Sequence, residues 1–412
     1  MAPAVVRGGL LPLVALVAVA SCLRTPVASL APIADELGDA LRLSALDYSV
    51  LSTVPVLCFA LAGFLTPGLV RRRGVVVPTL LALAAMLVGT AGRGAVSSFE
   101  PFLVLSLTIY LGIGVGNVMV APLVKRYFPH RVQAVTMVCF VVMSMSTFVP
   151  PLLSAPLAHL GTWRLSVSAW AVLIALALVP VTWLRFRSRG REPRPVPPEG
   201  RRPRRAGVLL SGRAWALATL YSVTTFNVYV FFAWLPQILV GTFGWSVSQA
   251  SLLLGLYSAL GLPLAVLVPA LATRMRRPAL LAVVAGALTS TGNAALVIGP
   301  SSTGWIWLWV CVAGACQLLF PLGITLIVMM SADEHEAASL GGFAQGTGYL
   351  LGAAGPLTAG LLFDASGAWS WTLVTLCSSG AFAAVAGIAL TVLSSRRARL
   401  GSPPAATIAP VP

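Results

Sequence analysis

The first residue in this chain that invites a chemical reading is Arg24, which stands in the middle of a long apolar stretch. A guanidinium at membrane depth costs at least ~2.5–3.5 kcal/mol on insertion scales, so by default it faces a polar cavity or a ligand. Arginine keeps its proton and presents a planar fork of donors, which makes Arg24 a fixed positive charge suited to a small anion or carboxylate. Snorkelling would have to carry it outward, because about 14 residues, or ~21 Å of helix, precede it in its span. Other polar candidates fall on equivalent stretches of the two halves of the chain. Asn117 and Gln317 are partners by position, and Asn227 holds nearly the place of Arg24. Trp234 lies seven residues beyond Asn227 on the same helical face, just before Pro236. Gln345 and Tyr349 are spaced i, i+4 and point together. Arg24 would supply charge, the amides and Tyr349 hydrogen bonds, and Trp234 an apolar wall. For each Asn or Gln the competing role is interhelical hydrogen bonding, typically worth ~0.6 kcal/mol.

Several chemistries are missing. The predicted spans are read as free of Asp, Glu and His, with His130, His159 and His335 in loops, so the usual membrane proton relay has no carrier. Enzymes acting on lipids or metals need clustered acids, which excludes a membrane enzyme, a metal site and a cofactor. Cys22, Cys58, Cys139, Cys311, Cys316 and Cys377 all fall in apolar segments without a C-x-x-C pair. They read as packing residues. Gly112, Gly114 and Gly116 sit in an apolar helix with no preceding strand, so close helix packing is favoured over phosphate binding. Gly348, Gly352, Gly355 and Gly360 read the same way.

These residues are positioned by about twelve apolar segments of roughly 20 residues, the length that crosses a ~30 Å hydrocarbon core as a helix. The spans fall near 10–30, 46–69, 75–92, 102–123, 133–157, 165–184, 214–240, 248–271, 279–299, 305–330, 339–363 and 371–393. Charged residues are only 9% of the 412, against roughly 25% in soluble domains. The net charge of +16 sits in the loops between spans, where it meets anionic lipid, and this placement argues against nucleic-acid binding. With both termini inside, 23 of the 27 basic residues are cytoplasmic, leaving Arg42, Arg93 and Arg164 outside and Arg24 within a helix. That bias sets the orientation. Arg93, at the outer end of the third span, reads as an interface anchor, as do Trp305, Trp307 and Trp371. Arg7, an apolar run and Val19-Ala20-Ser21-Cys22 resemble a lipoprotein signal. The reading adopted is an uncleaved first helix, since its removal would break the symmetry of the halves.

Residues 185–213 hold ten Arg and five Pro, a composition that stays in water and forms no helix. The chain divides into an N-terminal six-helix half (1–184), this basic linker (185–213), a C-terminal six-helix half (214–393) and a disordered tail (394–412). The halves echo each other about 200 residues apart. Pro67-Gly68-Leu69 before Arg71 to Arg73 recurs as Pro269-Ala270-Leu271 before Arg274, Arg276 and Arg277. Gly114 to Asn117 recurs as Gly314 to Gln317, Pro122-Leu123 as Pro321-Leu322, and Gly161-Thr162-Trp163 as Gly367-Ala368-Trp369. Six-helix halves related about the membrane normal are the plan of the major facilitator superfamily.

Ordered motifs sharpen that likeness. Leu23-Arg24-Thr25-Pro26 with Ala31-Pro32, "LSTVPVLCFALAGFLTPGLVRRRG" at 51–74, "GVGNVMVAPLVKRYFPHRV" at 114–132, "GTWRLSVSAWAV" at 161–172 and "GYLLGAAGPLTAGLLFDASGAW" at 348–369 resemble the cyanate permease/2-nitroimidazole transporter family within that superfamily. The chain departs from the wider pattern twice, with Val70-Arg71 where an acidic residue is usual after helix 2 and Tyr127 where one precedes Phe-Pro. The resemblance implies an all-α, twelve-helix carrier that moves a cyanate-like anion or small heterocycle by alternating access, as a monomer in the plasma membrane (the bacterial inner membrane). Two other readings are kept, export of a neutral drug or metabolite and a transporter-like sensor without flux. Lacking a group that loads a proton, the carrier is expected to run by facilitated diffusion or anion exchange.

Overall fold

The computed structural model describes residues 9–160, 162–188, 211–299 and 303–400. Most of the basic linker (189–210) and the tail from 401 lie outside the described residues, as do the side chains of Asp35 and His159. Twelve membrane helices follow in order: α1 (Leu10–Ala28), α2 (Ala45–Arg73), α3 (Val76–Arg93), α4 (Phe99–Tyr127), α5 (Val132–Leu160), α6 (Trp163–Arg187), α7 (Gly212–Phe243), α8 (Ser248–Arg274), α9 (Leu280–Ile298), α10 (Gly304–Met330), α11 (Glu334–Ser366) and α12 (Ser370–Leu400). A short helix, Ala34–Leu41, lies between α1 and α2. Eleven of these meet the length and apolarity of a membrane span. The exception is α11, whose 33 residues include glycines at 341, 342, 346, 348, 352, 355 and 360. Glycine lowers the apolarity of a helix but lets neighbouring backbones approach, which suits α11 to its place between α2 and α7.

The two groups of six helices repeat one packing plan. In the first, α3 packs on α4 and α6; in the second, α9 packs on α10 and α12. Helix starts are set locally. Ser44 and Asp47 form a reciprocal capping box at α2, and Ser246 and Gln249 form another at α8. Asp47 corrects the expectation of spans without carboxylates, because it falls inside the 46–69 segment. It occupies the first turn of the helix, where its carboxylate accepts from Ser44 N–H at 2.8 Å, and not the membrane interior. Three boundaries shift from the expected ones: helix continues to Ser188 past the expected end at 184, α7 already begins at Gly212 within the expected linker, and α12 runs to Leu400 where a disordered tail from 394 is expected.

Three helices read as continuous from sequence are interrupted midway. Helix α1 stops at Cys22 and resumes at Thr25, with Pro26 in the first turn of the second piece. Proline has no N–H to give the carbonyl four residues back, so the ladder breaks at that point. Helix α8 divides at Leu260, ahead of Pro263, and α10 tightens into a 3-10 turn over Gly314–Leu318, ahead of Pro321. Broken backbone at membrane depth is tolerated where it is buried in protein or lines a cavity, and all three breaks border the cavity described below.

The halves meet most closely along α2 and α11. A Cβ on Gly63 would stand 2.5 Å from Gly346 Cα and 2.9 Å from Gly342 O, so these backbones touch. Gly63→Ala is expected to wedge this seam and cut initial uptake severalfold with membrane insertion unchanged. Uptake per folded carrier checks this, and an unaltered rate would show that the seam does not need to close so tightly. In α4, a Cβ on Gly112 would lie 2.6 Å from Ala82 O and one on Gly114 2.6 Å from Ala62 Cβ, as the packing reading expects. The six cysteines are free, and four of them are buried.

Candidate functional site

A cavity of about 410 Å³ opens between the halves at mid-depth, walled by α1, α2, α5, α7, α8, α10 and α11. Arg24 enters it from the break in α1. Its Nη1 donates to Asn117 Oδ1 at 3.3 Å and to Leu23 O at 3.4 Å. The guanidinium carbon lies 5.8 Å from the centre of the Phe320 ring. The Tyr229 and Tyr349 phenols are within electrostatic reach of the same charge. No carboxylate among the described residues pairs with Arg24, and no described Asp, Glu or His is buried. Six aromatic residues, among them Phe59, Phe140, Tyr229 and Phe320, share the rest of the wall with aliphatic and hydroxyl side chains. Phe59 meets Tyr349 edge-on at 5.3 Å, and Phe140 meets Phe320 at 6.2 Å. A single unopposed cation in such a lining attracts a small anion and offers flat apolar faces to a planar body.

Of the seven residues singled out in the sequence, Arg24, Gln317 and Tyr349 line the cavity. Gln317 is held there by its own donation to Tyr257 O at 2.7 Å, bridging the breaks of α10 and α8. Asn117 is buried behind Arg24 and orients it. The other three stand elsewhere in this conformation. Asn227 turns toward α12, where Nδ2 donates to Ser379 Oγ at 2.7 Å and to Val223 O at 2.8 Å. Trp234 donates from Nε1 to Pro356 O at 2.9 Å and packs against Trp369 at 5.3 Å. Its spacing from Asn227 puts the two on one face, but that face packs on α11 and α12, away from the cavity. Gln345 is fully buried one turn from Tyr349.

Sequence reasoning missed the aromatic wall from Phe59, Phe140, Tyr229 and Phe320, since apolar residues in a span carry no signal of which way they face. It also misplaced Arg93. This side chain is 1% exposed, not an interface anchor. Its Nε donates to Ser106 Oγ at 3.0 Å and its Nη1 to Pro26 O at 3.1 Å. The Phe102 and Tyr110 rings lie 5.1 and 5.2 Å away, cation–π distances that offset part of its desolvation. Arg93 thus clamps the second piece of α1, two residues from Arg24.

The cavity is closed on the face where α6 ends and α7 begins, called here the linker face. Lys125 Nζ donates to Val328 O at 3.2 Å, and Arg126 pairs with Glu334 at 3.2 Å. Thr273 Oγ1 donates to Gln133 Oε1 at 2.8 Å, joining α8 to α5. Glu334 and Glu336 stand in the first turn of α11, where the helix dipole favours acids. Tyr127, at the position where the resemblance leads one to expect an acid, is buried with its ring 5.6 Å from the Arg126 guanidinium.

The model of the Major Facilitator Superfamily matches residues 13–356 and 217–410. The chain is 29% identical over 376 residues to the 2-nitroimidazole transporter of Escherichia coli (strain K12), covering 90% of this chain and 92% of that one. It is 26% identical over 378 residues to the cyanate transport protein of the same organism, covering 89% and 94%. Its fold is similar to that of a proton:xylose symporter, with a TM-score of 0.69 at 13% identity over 94% of each chain.

Proposed function

This chain belongs to the major facilitator superfamily and is a multi-pass membrane transporter of a small molecule, and from that premise we propose that its substrate is a small anion or a small planar heterocycle. The observation that carries the reading is the unopposed Arg24 at the centre of an aromatic cavity. Arg24 binds the negative pole of the solute, with Asn117 fixing the guanidinium. Tyr349 and Gln317 add hydrogen bonds, and Phe59, Phe140 and Phe320 sandwich the body. Relatives named for cyanate and 2-nitroimidazole support a solute of this size. Asn227, Trp234 and Gln345 take no part in binding while the linker face is closed. Alternating access then swings residues 1–184 against 214–393 about the cavity, with 185–213 as the tether, in a monomer.

A thermal-shift panel of small anions and heterocycles tests this on the purified protein. A ligand at 100 times its Kd adds about 2.7 kcal/mol of stability, so cyanate or 2-nitroimidazole should raise the melting temperature by some degrees, and Arg24→Gln should remove the shift. Flux of the stabilising ligand into proteoliposomes then separates a carrier from a sensor. Stabilisation by organic cations, with none by anions, would overturn the reading.

The orientation follows from the cationic bias of the linker-face loops. Both termini and the linker lie in the cytoplasm of a bacterial cell whose inner membrane holds the chain. Reporter fusions within 185–213 and at the C-terminus are expected to report cytoplasm, and fusions in 158–164 or 364–370 the outside. A cytoplasmic signal from 158–164 would invert this assignment.

A further inference from the structure

We propose that Tyr221 and Gln345 form a second polar station for the transported solute, sealed beneath the cavity here and uncovered when the carrier opens toward the linker face. The proposal rests on the transport reading above and gives work to two groups that reading leaves unused. Both residues are 0% exposed. The Tyr221 hydroxyl and both amide atoms of Gln345 have no hydrogen-bond partner. Buried polar groups are nearly always paired, and an unpaired one weights a two-state equilibrium against the state that strands it by about 5- to 150-fold.

Their position says what relieves them. Tyr349 and Thr225 belong to the cavity wall; Gln345 lies one helical turn below Tyr349 on α11, and Tyr221 one turn below Thr225 on α7. The Tyr221 ring meets Phe320, itself a wall residue, edge-on at 5.4 Å. Its hydroxyl end presses on α10, where a Cβ on Gly323 would lie 3.1 Å from Oη. A Cβ on Gly341 would have Gln345 Nε2 at 3.9 Å and Ile327 at 3.8 Å, which places the amide between α11 and α10. The two groups therefore occupy the same three-helix layer, directly toward the linker face from Arg24. The amide is covered by α10 at Ile327, and on the same stretch of α11 Gly342 and Gly346 bear on Gly63 and Pro67 of α2, so α11 is held from both sides on the linker side of the cavity.

The chemistry fits a solute on its way out. An amide N–H and a phenol O–H donate to an anion or a ring nitrogen, and the amide oxygen accepts from a ring N–H. Neither group is charged, so a solute bound here is held less firmly than against Arg24, as release requires.

The test uses the full chain in inside-out vesicles, with its six cysteines replaced by serine and Gln345→Cys added. A small charged methanethiosulfonate reagent is expected to modify this thiol, and saturating cyanate or 2-nitroimidazole to slow the reaction at least fivefold. Separately, Gln345→Leu in the natural background should fall in counterflow rate at least fivefold while it binds the same probes with unchanged affinity. An inert thiol in a variant that still transports, or Gln345→Leu at the natural rate, overturns the proposal. If the natural chain carries no flux at all, the transport reading falls, while the thiol still reports whether the layer opens.

Discussion

Arg24→Gln is expected to abolish transport while leaving folded protein in the membrane. One nitrogen of the guanidinium is spent on Asn117 and Leu23, and the cavity supplies no other cation among its lining residues. A charge-assisted hydrogen bond contributes roughly 1.5–3 kcal/mol, which is about 10- to 150-fold in affinity. Glutamine is shorter and neutral but is still a donor, so Asn117 retains a neighbour and the break in α1, fixed by Pro26 and clamped by Arg93, stays intact. Arg24→Lys keeps the charge and loses the fork, and a weaker rise in KM of about tenfold is expected from it. Uptake of labelled substrate, normalised to the carrier in the membrane fraction, measures both. Normal transport by Arg24→Gln would mean that the charge serves the structure alone.

How far the sequence carries can be judged from these same residues. Span lengths and the charge of the loops follow from solvent, so helix number, the division into halves and Arg24 itself are legible in the chain. Breaks in helices are not. Pro55, Pro67, Pro122 and Pro236 lie within helices that run on, while Pro26, Pro263 and Pro321 stand at or just beyond interruptions. What separates the groups is whether a neighbouring helix or a cavity takes up the freed carbonyl, which is tertiary information. Arg93 is misread for the same reason, since only the packing of Phe102, Tyr110 and Pro26 around it turns an apparent anchor into a clamp. Asn227 and Trp234 share a face as their spacing requires, and nothing local says that this face looks at α11 and α12.

An imposed pH gradient is expected to drive no accumulation of a substrate that has no titratable group of its own. Proton coupling needs a site that loads on one side of the membrane and unloads on the other. An arginine is not a proton carrier, and no described Asp, Glu or His is buried. The carboxylates that come nearest are committed elsewhere. Asp47 caps α2, Glu334 is paired with Arg126, and Glu336 lies 3.7 Å from Arg213, none of them in the cavity wall. Glu100 is exposed in the first turn of α4, outside the cavity wall. One pH unit is equivalent to about 1.4 kcal/mol, so a carrier coupled to one proton would concentrate a neutral substrate about tenfold across a one-unit gradient. The measurement is made in proteoliposomes with equal substrate on both sides. A ratio that stays at unity fits flux set by the substrate gradients alone, whereas a tenfold rise that collapses with a protonophore would require a proton site outside these residues. A titratable substrate is the exception that proves useful as a control. A weak acid carried in its protonated form would accumulate on the alkaline side without any protein carboxylate.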